Sequence, residues 1–512
     1  MIMSPAALLS ALLLLPLFFF ILAEWRRRIS RYSISKKLPL PPSPPGLPFI
    51  GNLHELGSLP HQSLSLLSNK HGPLMLLHLG PIPTVVVSSP AVAQHFMKIH
   101  DTVFASRPSL KSSRALSYNN IDVAFSPYGD CWRQMRKISM CHLLSAKMVQ
   151  SFASVRREEV AALLRRVSDH DGTVLCVTEM LNELVSNVLC RVVVGSSMGD
   201  ERRRLISTLV QQNSIFNTKV FVEDFFPRLR WLDWILGLDD KLKRHVKAWD
   251  SLLEDFIQDH SISSNNSNNI IHPSADRTDF IDVLLQLQKD PNLDFVLTRD
   301  HIKSTLLDMF AAGTDTSFIV LDWSMAELIR NPKVMKKVQD EVRAVAGGEE
   351  MINEEHLPKM SYLKAVVKEV LRLHPPIPLL LPRESTEECQ IQGYHIPKQT
   401  RVIVNAWSMG RDAAYWEDPE EFKPERFAGS ALDFKGREFQ FIPFGAGRRI
   451  CPGMSFAIVV VELALANLLR RFDWKLPNGM AIEDMNMEDS PGLVALRRQK
   501  LELVPLLVQN IH

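Results

Sequence analysis

A loop with glycines at 445, 447 and 453 and one cysteine, Phe444-Gly445-Ala446-Gly447-Arg448-Arg449-Ile450-Cys451-Pro452-Gly453, runs straight into the apolar helical stretch Met454 to Arg471. The arrangement places a cysteine at a helix entrance. Glycines let the backbone turn tightly and bring its N–H groups toward the sulfur, and the helix N-terminus adds partial positive charge. Both favour thiolate over thiol. A thiolate held this way suits a nucleophile, a redox thiol or a metal ligand, and the loop alone leaves all three open. Cys131, Cys141, Cys176, Cys190 and Cys389 are scattered without a CxxC pair, which argues against a disulfide framework or a structural zinc site.

The chain of 512 residues is long enough for several domains, but it shows no internal repeat and no composition shift that would mark a second folding unit. With 46% hydrophobic and 23% charged residues it is ordinarily globular. A formal charge of +2 gives nucleic acid nothing to bind electrostatically. From Ala6 to Ala23 the chain is uncharged and is followed at once by Glu24-Trp25-Arg26-Arg27-Arg28. At about 1.5 Å per residue this run nearly crosses a bilayer core, and the arginines belong on the cytosolic side. Residues 1–28 are therefore expected to be a single-pass anchor, 29–50 a basic and Pro-rich linker, and 51–512 one cytosolic catalytic domain.

Leu74 to Leu79 and Thr84 to Val87 read as strands of a hairpin turned by Gly80-Pro81-Ile82-Pro83, and helical periodicity dominates from about 130 to 375. Ser261 to Ala275 is expected to be a polar surface loop. The pattern predicts a helix from about Asp300 to Ile329, with Asn331 capping the next helix and Pro332 in its first turn. A further helix is predicted from Ser361, as its cap, to Arg372, ended by Pro375-Pro376. The expected class is mainly α with small β-sheets.

The cysteine loop matches F-x-x-G-x-R-x-C-x-G at every position, and the chain resembles the cytochrome P450 family from the anchor to the last strand. The Pro-rich spacer, Phe49-Ile50-Gly51-Asn52, Asn405-Ala406-Trp407 and Phe441-Ile442-Pro443-Phe444 are most similar to its plant microsomal branch. The resemblance implies the P450 fold and haem b, iron protoporphyrin IX, with Cys451 as the axial ligand of the iron. Phe444 belongs to the same cofactor loop. Arg449, Trp132 and Arg136 of Trp132-Arg133-Gln134-Met135-Arg136, and Arg383 are implied to face the haem propionates, while Arg448 is left to solvent.

By spacing alone, Glu369 and Arg372 share a helical face as an ordinary ion pair. The resemblance makes them, with Arg426 of Pro424-Glu425-Arg426-Phe427, a buried structural cluster behind the haem. Ala311-Ala312-Gly313-Thr314-Asp315-Thr316-Ser317 is small and hydroxylated for a buried helix. It resembles the family's distal element, in which Gly313 would leave room for dioxygen, Thr316 would hydrogen-bond the bound oxygen species and Asp315 would relay protons.

No GxGxxG follows a predicted strand, so electrons are expected from a partner, and the resemblance implies that this is a membrane-bound flavoprotein reductase through which NADPH acts indirectly. Arg133, Lys137, Lys435, Arg437 and Arg448 lie in segments expected near the docking face. The alignment implies pocket walls from Ser112 to Phe125, from Phe310 and Ala312, from Ile377, Leu379 and Leu380, and from Leu493 and Val494. No charged residue is placed for substrate unless Asp122 turns inward. The stretch Phe221 to Trp234 packs in the core or dips into the membrane. The expected function is an O2-dependent monooxygenase of the endoplasmic reticulum membrane that oxidises a small hydrophobic plant metabolite, a terpenoid or alkaloid. The alternatives are the same chemistry ending in cyclisation, desaturation or dehydration, and a non-enzymatic haem sensor or electron carrier.

Overall fold

The computed structural model describes residues 38–195, 198–266 and 278–508. The expected anchor lies outside them, and among the described residues no helix is long and apolar enough to cross a membrane.

Mainly α with small sheets is what the chain forms. Helices include α1 (Asp130–Ile138), α2 (Ala153–Ser168), α3 (Val177–Val193), α4 (Asp200–Thr218), α5 (Leu238–Asn266), α6 (Phe280–Lys289), α7 (Arg299–Arg330), α8 (Pro332–Ala346), α9 (Ser361–Leu373) and α10 (Met454–Arg471). The long α7 runs through the middle, packed against α3, α4, α9 and α10. It starts with a capping box, in which the Thr298 hydroxyl accepts the His301 N–H and the His301 ring accepts the Thr298 N–H. Its C-terminal half, Phe318 to Ile329, is buried on every face, because neighbouring helices surround it.

The strands β1 (Leu74–Leu79) and β2 (Ile82–Val87) form the expected antiparallel hairpin, but β2 begins two residues early, with Leu79 opposite Ile82. The turn is thus Gly80-Pro81 alone, with Gly80 at φ 62°. β2 pairs in parallel with β7 (Arg401–Val404), which pairs antiparallel with β4 (Arg383–Glu384). Three further strands, β3 (Leu175–Cys176), β8 (Phe472–Lys475) and β9 (Glu502–Leu507), make a second sheet, and β5 (Cys389–Ile391) and β6 (Tyr394–Ile396) a small ribbon. The Pro-rich spacer docks on this framework: Pro42 O accepts the Leu76 N–H at 2.8 Å and Pro39 O the His395 N–H at 2.8 Å. Proline cannot donate to a sheet edge, but it can accept from one.

Three local expectations are corrected. α9 is not capped by Ser361: the Glu341 carboxylate reaches over from α8 and accepts the N–H groups of Tyr362 and Leu363, each at 2.8 Å. A carboxylate satisfies two orphan donors and complements the helix dipole, which a single hydroxyl cannot match. Asn331 does not cap α8 either, since its amide turns back to the Glu327 carbonyl at 2.9 Å. The expected loop from Ser261 is helical to Asn266, and residues 267–277 lie outside the described residues.

Candidate active site

The cysteine loop is built on two left-handed glycines, Gly445 at φ 72° and Gly447 at φ 69°. A Cβ on Gly447 would lie 2.2 Å from the Met97 carbonyl oxygen, so no other residue fits there without moving backbone. The turn closes through the Cys451 N–H on the Phe444 carbonyl at 2.9 Å. Asp101 holds the loop from outside, accepting the Arg448 N–H at 2.9 Å and pairing with Arg383 at 3.3 Å.

The sulfur of Cys451 meets the N–H groups of Gly453 and Met454 at the start of α10, with Arg136 nearby, and all three favour the thiolate. Burial from bulk solvent outweighs them and pushes the thiol up from its ordinary value. The loop and helix thus favour the thiolate as expected, and burial works against them.

Cys451 faces a cavity of ≈ 230 Å³ whose opposite wall is the middle of α7, with Ala312, Gly313 and Thr316. Arg107, Arg136, Arg383 and Arg449 line its margin. Arg449 spends its guanidinium on the carbonyls of Ala105, Val123 and Ser126, and Arg107 on those of Ala124, Leu381 and Pro382. Arg136 donates to Ile450 O at 2.6 Å and Arg383 to Ala446 O at 2.8 Å. Burial, then repulsion from Arg383 and Arg136, lowers the Arg449 guanidinium to about 9, and Arg107 moves down for the same kind of reason. Four cations so close together, three of them buried and Arg136 half-buried, call for an anion of more than one charge. A flat group carrying two carboxylates and a thiophilic metal fits this cavity on both counts, which is the chemistry of haem. Trp132 stands behind the wall: its N–H donates to Val123 O at 3.1 Å, and its ring supports the Arg449 guanidinium at 4.1 Å. Phe444 lines the cavity.

On α7, Thr316 Oγ1 donates to the Ala312 carbonyl at 2.7 Å, and Thr314 Oγ1 to Phe310 O at 2.8 Å. Asp315 turns aside and accepts from the Ser214 hydroxyl of α4; burial raises its carboxyl to about 6. The absent Cβ of Gly313 would stand 2.9 Å from Leu189 on α3, so this glycine has a packing reason besides any room it leaves in the cavity. Behind the site, Glu369 is fully buried and accepts from Arg372 twice at 2.8 Å, from Arg426 at 3.0 Å and from the Lys423 N–H at 2.7 Å. Arg372 also donates to the carbonyls of Gly410, Pro419 and Glu421.

A smaller chamber of ≈ 100 Å³ adjoins the first and shares Ala124, Asp308, Ala312, Thr316, Ile377 and Leu381 with it. Leu493 and Val494 line the chamber and Leu380 the larger cavity. Two expected pocket residues do not line either. Phe310 is buried against Trp249 of α5, ring centroids 6.0 Å apart, and Leu379 packs on the sheet with Met75 and Leu77. The inward face of α7 instead carries Ser304, Leu307, Asp308 and Ala311, a rotation along the helix that its nearly uniform burial hides from the sequence. Asp122 does turn inward. Arg107, Asp101 and Asp308 were missed because no local spacing marks them; only the fold brings residues 101–107 against 381–383 and 446–449.

The cytochrome P450 family model matches residues 41–504, and the chain belongs to that family. It is 49% identical over 479 residues to cytochrome P450 71A9 of Glycine max, covering 93% of this chain and 95% of that protein. It is 46% identical over 486 residues to norfluorocurarine oxidase of Strychnos sp, covering 94% of each. Among solved structures, a zebra fish cytochrome P450 with abiraterone matches with a TM-score of 0.73 at 26% identity, over 89% of this chain and all of that one. The chain is thus a cytochrome P450 monooxygenase of the plant type, its cofactor is haem b, and it works with O2 and a redox partner.

Proposed function

We propose that this chain is a membrane-anchored monooxygenase that takes NADPH electrons from a flavoprotein reductase and oxidises a small hydrophobic plant specialised metabolite, a terpenoid or alkaloid. The observation that carries this reading is the single cavity with Cys451 on one wall and Thr316 on the other, continuous with a largely apolar chamber. Haem bound there supplies the redox chemistry that activates dioxygen. Cys451 would ligate the iron, Arg107, Arg136, Arg383 and Arg449 would hold the propionates, and Trp132 stiffens Arg449. Glu369, Arg372 and Arg426 fix the backbone behind the cysteine loop. Thr316 presents its hydroxyl to the cavity, and Asp315, poised near neutrality and reached through Ser214, delivers protons from outside. Ala312, Ile377, Leu380, Leu493 and Val494 hold the substrate and exclude water.

Several surface features support the membrane and reductase parts of the reading. Trp231, Trp234, Ile235 and Leu236 are all more than half exposed on one short stretch, an apolar patch suited to a lipid surface beside the anchor. Phe221, by contrast, is wholly buried with Phe216 and Leu242, so only the later part of the stretch can dip. Arg133, Lys137, Lys435, Arg437 and Arg448 are exposed, as side chains that dock a reductase must be. This reading puts the chain in the endoplasmic reticulum membrane with the catalytic domain in the cytosol.

Thr316→Ala tests the proton-delivery role. NADPH and O2 consumption should continue while product per NADPH falls about ten-fold or more, the usual scale for loss of a positioned proton donor; coupled turnover at the wild-type level would remove Thr316 from the mechanism. Oxygen-18 from labelled dioxygen should appear in product if the reaction is net insertion, and would be absent after desaturation or ring closure.

The raised carboxyl of Asp315 has its own consequence. Folding makes this group hold its proton more tightly than the unfolded chain does, so its cost is fully felt above pH ~6 and fades as pH falls toward the ordinary carboxylate range near 4. Asp315→Asn should therefore raise the melting temperature at pH ~7.5, by up to about 3 kcal/mol of stability, and change it little near pH 4. Equal melting of variant and wild type at the higher pH would show that the carboxylate is not strained.

A further inference from the structure

One wall of the chamber is a short helix, Lys111–Leu116, which turns Ser113 and Leu116 inward. Lys111 and Arg114, three apart on its other face, meet carboxylates from the chain that follows α4. The Lys111 ammonium lies 2.6 Å from Asp239, 3.0 Å from Asp233 and 3.3 Å from Glu223, and the Lys111 N–H donates to Asp224 at 2.7 Å. Arg114 donates to the other oxygen of Glu223 at 2.7 Å. Asp233 has no solvent exposure and also accepts the N–H groups of Val222 and Glu223, at 2.8 and 3.1 Å. Through Asp233 the ammonium therefore grips the backbone of the Val222–Phe225 turn as well as its side chains.

Apolar packing adds little to this contact. The cluster above the short helix, Phe216, Phe221 and Leu242, receives Ala115 from it, a side chain of one methyl. The backbone at its C-terminal end is strained: Tyr118, Asn119 and Asn120 follow one another at φ 50°, 67° and 59°, a left-handed run that residues with side chains disfavour. Such a run persists only where its surroundings hold it. Here the Tyr118 hydroxyl donates to Asp250 of α5 at 2.8 Å, and the Asn120 N–H to the Ser117 hydroxyl at 3.0 Å. A wall that ends in a strained run and is fastened chiefly by ions comes away when the ions part.

We propose that Lys111 and the carboxylates of Glu223, Asp233 and Asp239 form a strap that closes the chamber, and that substrate enters and product leaves at the rate at which this strap opens. This rests on the oxidase reading above, in which the chamber is the substrate site, and adds what controls passage into it. None of the four side chains lines either cavity. The strap therefore sets the speed of exchange and leaves the contacts of a bound molecule unchanged. Partly buried charges attract strongly while closed, because water reaches them poorly; once apart, they are solvated and screened by salt.

The test uses the full-length haem-loaded protein in stopped flow with phenylimidazole at a pH where it is neutral. Its free nitrogen ligates haem iron, so the probe reports entry whatever the natural substrate is. Raising salt from about 0.05 M to about 0.5 M should speed both association and dissociation several-fold in wild type, with Kd nearly unchanged. A neutral probe feels no electrostatic steering, and salting-out would speed entry without speeding exit. Lys111→Met leaves three carboxylates facing one another and should raise both rates about ten-fold or more, the scale of losing more than one partly buried pair. Asp239→Asn keeps the cation and two of its partners, so its effect should be smaller. Carbon monoxide, small enough to need no opening, should combine with the reduced haem at the same rate in all three proteins. Wild-type rates in Lys111→Met overturn the proposal, as does a rise that carbon monoxide shares, which would mean a loosened fold. If Lys111→Met does not accumulate, rates that respond neither to salt nor to Asp239→Asn overturn it equally. A missing thiolate band in wild type would instead strike the oxidase reading itself.

Discussion

Glu369→Gln should leave almost no folded, haem-loaded protein. The change removes one charge and an acceptor from a group that receives four hydrogen bonds, two of them from an arginine with no solvent exposure. Arg372 would keep its bonds to the carbonyls of Gly410, Pro419 and Glu421 but lose its carboxylate partner. Breaking one side of a buried ion pair costs about 3–5 kcal/mol, a large part of the roughly 5–15 kcal/mol that holds a domain together. The same carboxylate ties α9 to the Lys423–Arg426 segment, so the loss spreads to the wall behind the cysteine loop. Thermal melting and haem content per protein, measured together, check this; a variant with wild-type haem content and melting temperature would show that the cluster is dispensable. Arg426→Lys, on the half-open side of the cluster, should be milder, because Arg426 is 11% exposed and water can replace part of what it gives up.

Cys451→Ala should do the opposite: keep the fold and lose the chemistry. The sulfur lies at the cavity wall and carries none of the loop's turn, which is made by the Cys451 N–H, Gly445, Gly447 and the grip of Asp101. Removing it should shift stability by about 1 kcal/mol, as for a small partly buried side chain. Haem, if retained by the arginines alone, would lack a thiolate, so the thiolate band with carbon monoxide should vanish and turnover should fall below detection. Persistence of that band in the variant would end the assignment of Cys451 as ligand. The contrast between the two variants separates structural from chemical roles: one loses haem with the fold, the other loses the band with the fold intact.

The cysteine loop could be recognised from sequence because its requirements are local. Glycines at left-handed positions, a cysteine at a helix start and an arginine two residues before it lie within ten residues. The hairpin and α7 were legible for the same reason, since alternation and period are properties of neighbours in the chain. Where the reading failed, the deciding contact came from far away. Ser361 looks like a cap until Glu341 is seen above it. Phe310 and Leu379 were assigned to the pocket by position, yet one faces α5 and the other the sheet.

By itself, then, the sequence determined the class of chemistry through the joint resemblance of three short-range patterns to one family: a helix-entrance cysteine in a glycine loop, a hydroxylated break in a long buried helix, and a Glu-Arg helix, none of which has a single use alone. The tertiary structure decided everything that depends on charges meeting across the fold. It brought Arg107 beside Arg449, set burial against the loop's pull on the Cys451 proton, and tied the Val123 N–H to Asp308, 185 positions further along the chain. Electrostatic energy in a dry interior depends on distance in space, and no spacing along the chain records that distance.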